Sequence, residues 1–208
     1  FVVDLRSYRG PNSENRKAEE SEATAILGEA QLRWLGERMA ASKAVWKVVA
    51  SDMPLGLVVP DGATDFEAVA QGDGGPPLGR ELEVAGLLRT LEERRVRNVV
   101  FVTGDVHYAA AHRYDPARAR FTRFEPFWEF VAGPLHAGTF GPAALDPTFG
   151  PEVRFLGIPA GMKPNRPPTE GLQFFGLLRI EARSRALTVE LRNLAGERIY
   201  SLELKPAA

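Results

Sequence analysis

The run Asn98-Val99-Val100-Phe101-Val102-Thr103-Gly104-Asp105-Val106-His107 opens as an almost continuous apolar stretch and ends in a glycine, a carboxylate and an imidazole. Almost continuous apolarity over residues 98–103 suits a strand buried on both faces, as in the parallel sheets of α/β proteins. Gly104 lets the chain turn sharply and present Asp105 and His107 just beyond the strand. A carboxylate with an imidazole is a standard donor pair for a divalent cation. The same D-x-H spacing also serves a turn-capping aspartate beside a hydrogen-bonded histidine.

Upstream, Val84, Leu87, Leu88 and Leu91 fall at i, i+3, i+4 and i+7, which predicts an amphipathic helix ending in the basic run Arg94-Arg95-Val96-Arg97. Before it, Val45-Trp46-Lys47-Val48-Val49-Ala50 reads as a strand that stops at Ser51-Asp52-Met53-Pro54. Leu32, Leu35 and Met39 place another helix over residues 29–41, and residues 1–6 read as a buried strand. The order strand, helix, strand, helix, strand predicts an α/β (α+β) arrangement, with Asp52 and Asp105 gathered at the carboxyl ends of neighbouring strands.

Two long irregular segments interrupt this pattern. Residues 7–22 read as a charged surface loop, and residues 58–80, rich in glycine and proline, read as a lid or rim. Downstream, Trp128 to Ala132 is a strand candidate. Leu172 to Leu204 reads as a hairpin-linked meander, broken at Arg183-Ser184-Arg185 and Asn193-Leu194-Ala195-Gly196.

Composition narrows the chemistry. The chain has 208 residues, of which 44% are hydrophobic and 25% charged, enough for a sizeable core. A net charge of −1 provides no global field to attract nucleic acid or an anionic membrane, so an anionic substrate must be captured locally. Without cysteine, any metal must be held by imidazole, carboxylate, amide or water. No apolar run approaches the roughly 20 residues that span a bilayer.

The candidate site residues follow from position. Asp52 and Asp105 offer strand-end oxygens, and His107 a nitrogen. His136 lies in the small-residue loop Gly133-Pro134-Leu135-His136-Ala137-Gly138, where it can face a substrate, whereas His112 reads as an internally hydrogen-bonded histidine. Arg6 and Arg9 follow the first strand and can donate bidentate hydrogen bonds to a phosphate.

Taken together, several motifs resemble the PhoD-like alkaline phosphatases (alkaline phosphatase D) of the metallophosphoesterase superfamily. They are Val3-Asp4-Leu5-Arg6-Ser7-Tyr8-Arg9, the Trp46-Lys47-Val48 strand ending in Asp52-Met53-Pro54, Thr103-Gly104-Asp105-Val106-His107-Tyr108, Trp128-Glu129-Phe130-Val131 and the loop from Gly133 to Pro142. The resemblance implies part of a four-layer sandwich, two mixed β-sheets flanked by helices. It implies metal ligands at Asp52, Asp105 and His107, substrate contacts at Arg9 and His136, and a catalytic role for Asp105 and His107. It further implies a pair of divalent or trivalent metal ions, iron with calcium or a set drawn from zinc, manganese and magnesium. The expected activity is hydrolysis of a phosphomonoester or phosphodiester by a metal-activated water in a secreted or periplasmic protein.

The N-terminal aspartate pair and the G-N-H-E or G-N-H-D segment of the superfamily find no counterpart, so residues 1–208 are expected to form the C-terminal portion of such a domain. The alternative is a non-catalytic piece that folds or acts only with a missing N-terminal half, which would then be its partner.

Overall fold

The computed structural model describes residues 1–207. Three helices are present: α1 (Leu5–Tyr8), α2 (Glu29–Ala41) and α3 (Glu81–Glu93). The strands are β1 (Lys47–Ala50), β2 (Pro60–Asp61), β3 (Asp65–Phe66), β4 (Val99–Thr103), β5 (Ala110–Tyr114), β6 (Phe127–Val131), β7 (Pro151–Leu156), β8 (Phe174–Ile180), β9 (Leu187–Asn193) and β10 (Arg198–Leu204). One mixed sheet has the order β1-β4-β6-β5-β7, a second, antiparallel sheet has the order β10-β9-β8, and β2 and β3 form a small ribbon.

The β1, β4 and β6 strands run parallel, so their carboxyl ends emerge together. Alternation along β4 explains how this sheet acquires two covers, since successive side chains point to opposite faces. Phe101 joins Val49 and Phe127 beneath Leu35 and Met39 of α2 and Leu87, Leu88 and Leu91 of α3. Val100, Phe130 and Ala111 face the other way and meet Leu187 and Val189 of the second sheet. Each fully buried side chain of this size contributes roughly 1.5–3 kcal/mol. The Trp46 indole also donates to Arg185 O at 2.7 Å, fastening one sheet to the other. Two packed sheets with helices outside are the α+β architecture expected from the sequence.

Several local expectations are revised. The opening strand is reduced to one bridge, Val2 with Ala50. Asp4 then caps α1 by accepting from Ser7 N at 2.8 Å, which turns the chain into a helical turn instead of an extended run. Residues 58–80 are not wholly irregular, because β2 and β3 pair within them. The β5 and β7 strands had no clear sequence signal: β5 is two alanines, a histidine and an arginine before Tyr114, and β7 begins at a proline. Both are strands through pairing with β6 and with each other.

Buried polar groups fix the loops. Glu83 accepts from Ile26 N (3.0 Å), Leu27 N (2.6 Å) and Gly28 N (3.2 Å), closing the segment ahead of α2. Glu81, also buried, accepts at Oε2 from Gln71 Nε2 (3.0 Å) and Leu78 N (3.2 Å). Among the described residues, Glu81 Oε1 and Gln71 Oε1 have no hydrogen-bond partner. The Glu81 carboxyl is placed to retain a proton. Burial first, then the Asp146 charge, push its pKa up to about 8, against the pull of the Leu78 N–H.

Because this folded-state value lies above the unfolded 4.5, the stability it confers is fully present below that value and lost as pH rises through about 8. Denaturant unfolding should therefore give a falling midpoint between about pH 5 and about pH 9. Glu81→Gln should flatten that slope and exceed the parent stability at the alkaline end. An unchanged slope would refute the assignment of this proton to Glu81.

Candidate functional site

Parallel strand ends deliver the chemistry. Gly104 N donates to Asp52 O at 3.3 Å, joining the loop after β4 to the loop after β1. Val106 N donates to Gly104 O at 2.8 Å, and this tight turn holds Asp105 at φ +67° and His107 at φ +60°. Both are left-handed conformations, each costing a side-chain-bearing residue about 1 kcal/mol or more. Such strain persists only where the surroundings enforce it.

One restraint is visible. His107 Nδ1 lies 2.7 Å from Gly138 O, and a carbonyl only accepts, so Nδ1 carries the proton. In the neutral ring this leaves Nε2 with its lone pair, the arrangement by which protein second partners orient metal-binding histidines. Phe140 packs edge-on against the same ring at 5.4 Å between centroids.

Asp105 is exposed at the base of a cleft that Glu67 and His107 also line. Among the described residues its carboxyl makes no hydrogen bond. Partial desolvation, then the Glu67 charge, raise its pKa, while His107, Arg6 and Arg9 pull it down. The two arginines differ in availability. The Arg6 side chain is exposed, and its guanidinium has no hydrogen bond or ion pair among the described residues. Arg9 is committed: it bonds Asn12 Oδ1, donates to Glu67 O at 2.8 Å and stands 3.9 Å from the Glu67 carboxylate.

Behind them lies Arg80, fully buried. Its NH1 donates to the carbonyls of Phe66 (3.0 Å), Glu67 (2.8 Å) and Ala68 (3.1 Å), and its NH2 to those of Gly10 (3.3 Å) and Pro11 (2.7 Å). Burial first, then repulsion from Arg9, lower its pKa to about 10, so the guanidinium stays charged at neutral pH.

Asp52 is exposed, and its Oδ2 accepts from Leu5 N at 2.9 Å, tying the turn that carries Arg6 to the strand ends. His136 is exposed on its loop, which reaches the site through the Gly138 carbonyl on His107. His112 is buried and bonds Glu129 Oε2 at 3.0 Å, away from the cleft. Glu67, Arg80 and the Gly138 carbonyl are site components that sequence inspection did not single out. Only the glycine-rich rim character of residues 58–80 hinted at the first.

Among the described residues, no group of three or more histidine, aspartate or glutamate side chains is placed to hold a metal ion. The turn brings together two candidate donors, the Asp105 carboxylate and the oriented His107 imidazole.

The sequence profile of the PhoD-like phosphatases matches residues 1–191. A solved structure described as "Structure of PhoD" aligns with the whole chain at a TM-score of 0.51 and 17% identity, a likeness of fold. The chain spans 42% of that structure's chain. No curated protein sequence matches it.

Asp105→Gly should relieve left-handed strain and remove a desolvated carboxylate. Thermal unfolding is expected to move up by a few degrees, equivalent to about 1 kcal/mol. A fall in the unfolding temperature would show that the carboxylate supports the fold.

Proposed function

The chain belongs to the PhoD-like phosphatase family, and from that premise we propose that it contributes Asp105, His107 and Arg6 to a metal-dependent centre hydrolysing phosphomonoesters or phosphodiesters. The observation that carries this proposal is the unbonded Asp105 carboxylate beside an imidazole whose Nε2 is freed by the Gly138 carbonyl, with the unpaired Arg6 near enough to lower its pKa.

In this reading Asp105 and His107 would hold metal, and Asp52 stands outside that pair as a further candidate through its second carboxylate oxygen. Carboxylate and imidazole are compatible with the iron and calcium, or zinc, manganese or magnesium, that the family resemblance implies. A bound cation pair would supply a more acidic water and neutralise charge on the phosphoryl group. Arg6 binds the phosphoryl oxygens through its planar fork. Arg9 positions Glu67 and the loop beneath it, and His136 contacts the outer part of the substrate. The water oxygen bonds to phosphorus as the ester P–O bond breaks. The bonding pair leaves with the alcohol oxygen, which takes up the proton given up by the attacking water, so the products are the alcohol and the phosphate.

With two donors converging here, residues 1–208 would form the C-terminal portion of the domain, and water and substrate oxygens would fill the remaining coordination positions. The same observation favours a second reading, a piece that becomes catalytic only once chain outside these residues completes the ligand shell. Among the described residues, no helix is long and apolar enough to cross a membrane. A secreted or periplasmic setting accords with the family.

The test is metal content by plasma mass spectrometry together with hydrolysis of aryl phosphate and aryl phosphodiester. Stoichiometric metal with turnover is expected, and Asp105→Asn should lose more than about a hundredfold in rate along with the metal. Arg6→Ala should lower kcat/KM about tenfold to a hundredfold with metal content intact. Absence of both metal and turnover would leave the second reading.

A further inference from the structure

The cleft above Asp105 and His107 encloses about 1180 Å³, counting space open to solvent, and its walls are largely apolar. Val58, Val59 and Pro60 supply one stretch of wall, Phe140 and Pro142 a second, and Tyr108 also lines the cleft. Phosphoryl recognition uses none of these groups. They are also not loosely placed. Val58 N donates to Ala144 O at 2.9 Å and Glu67 N to Val59 O at 2.8 Å, so the first wall is pinned to the second and to the acidic base.

The second wall is fixed on Tyr108. Ala143 N donates to Tyr108 Oη at 3.2 Å. Gly141, at φ +95°, lies so close to the ring that a Cβ there would stand 2.6 Å from Tyr108 Cδ1 and Cε1. Phe140 is thereby held 40% exposed, against the His107 ring. An aromatic ring and two prolines held partly in water beside a carboxylate and an imidazole form a ready-made surface for an apolar ligand group.

We infer that the ester bound here carries an apolar alcohol moiety, an alkyl chain or aromatic ring lying against Val58–Pro60 and Phe140–Pro142, and that these walls set substrate preference. The inference rests on the phosphoester reading of the site. Phosphate lies at the charged base, and the apolar moiety extends along the walls. Polyhydroxylated esters such as glycerol phosphate forfeit that contact and leave their hydroxyls facing groups that cannot hydrogen-bond them.

The experiment compares n-hexyl phosphate with ethyl phosphate, whose leaving groups are chemically equivalent, by kcat/KM. In parallel, binding of n-hexylphosphonate and ethylphosphonate is measured by calorimetry, which needs no turnover. The hexyl compounds should be favoured at least about tenfold in both, and Val59→Ser and Pro142→Ser should bring the hexyl-to-ethyl ratio towards one. Turnover of both esters with equal efficiency, or equal binding of both phosphonates, would overturn the apolar preference and leave the phosphoesterase reading standing. Failure to bind either phosphonate, together with no hydrolysis of any ester, would overturn both.

Discussion

A carboxylate with no access to water organises the centre of this molecule. Glu129, on β6 in the middle of the mixed sheet, accepts from Leu55 N at 2.7 Å, from His112 Nδ1 at 3.0 Å and from Tyr114 Oη at 2.8 Å. Tyr114 in turn accepts from Gly56 N at 2.8 Å, and burial beside Glu129 raises its pKa well above the ordinary phenol value, keeping it a donor. One side chain thus joins two neighbouring strands to the loop that follows Asp52. Removing one partner of such a buried network typically costs about 3–5 kcal/mol, because the remaining group stays buried without compensation.

From that anchor the site follows by geometry. Three parallel strands end on one edge, the Asp52 and Gly104 loops exchange a hydrogen bond there, and the turn at Asp105-Val106-His107 is forced into a conformation that side-chain-bearing residues resist. The charges around Asp105 are mixed in sign. Glu67 opposes its ionisation, and His107, Arg6 and Arg9 favour it. The opposing charges partly offset one another at the Asp105 carboxyl.

The sequence disclosed most where periodicity and burial coincide. The α2 and α3 helices declared themselves through leucines at helical spacing, and β4 through its unbroken apolar run, so the Gly104-to-His107 turn could be placed before any coordinates. The β5 strand could not, because Ala110, Ala111, His112 and Arg113 carry no strand signature and become one through pairing on both sides. The same holds for Glu67 and Arg80. Their roles come from backbone carbonyls and charges brought close by folding, and no local spacing encodes such contacts. Arg9 was legible as a candidate phosphate contact. Its commitment to Asn12 and Glu67 was not.

Arg80 gathers carbonyls from residues 10–11 and residues 66–68, segments distant in sequence and neither belonging to the main sheets. The same segments are also joined by the Ser13–Phe66 bridge, by Arg9 to the Glu67 carbonyl and by Asn15 Nδ2 to the Val69 carbonyl, so the guanidinium is the most highly connected of several cross-links. Segments tied at several points open as a unit. Releasing the guanidinium alone exposes five carbonyls while the other ties still hold the loop after Arg9 against the acidic wall at Glu67. The rim of the cleft is therefore fastened at several points, and its mobility is cooperative instead of graded loop by loop.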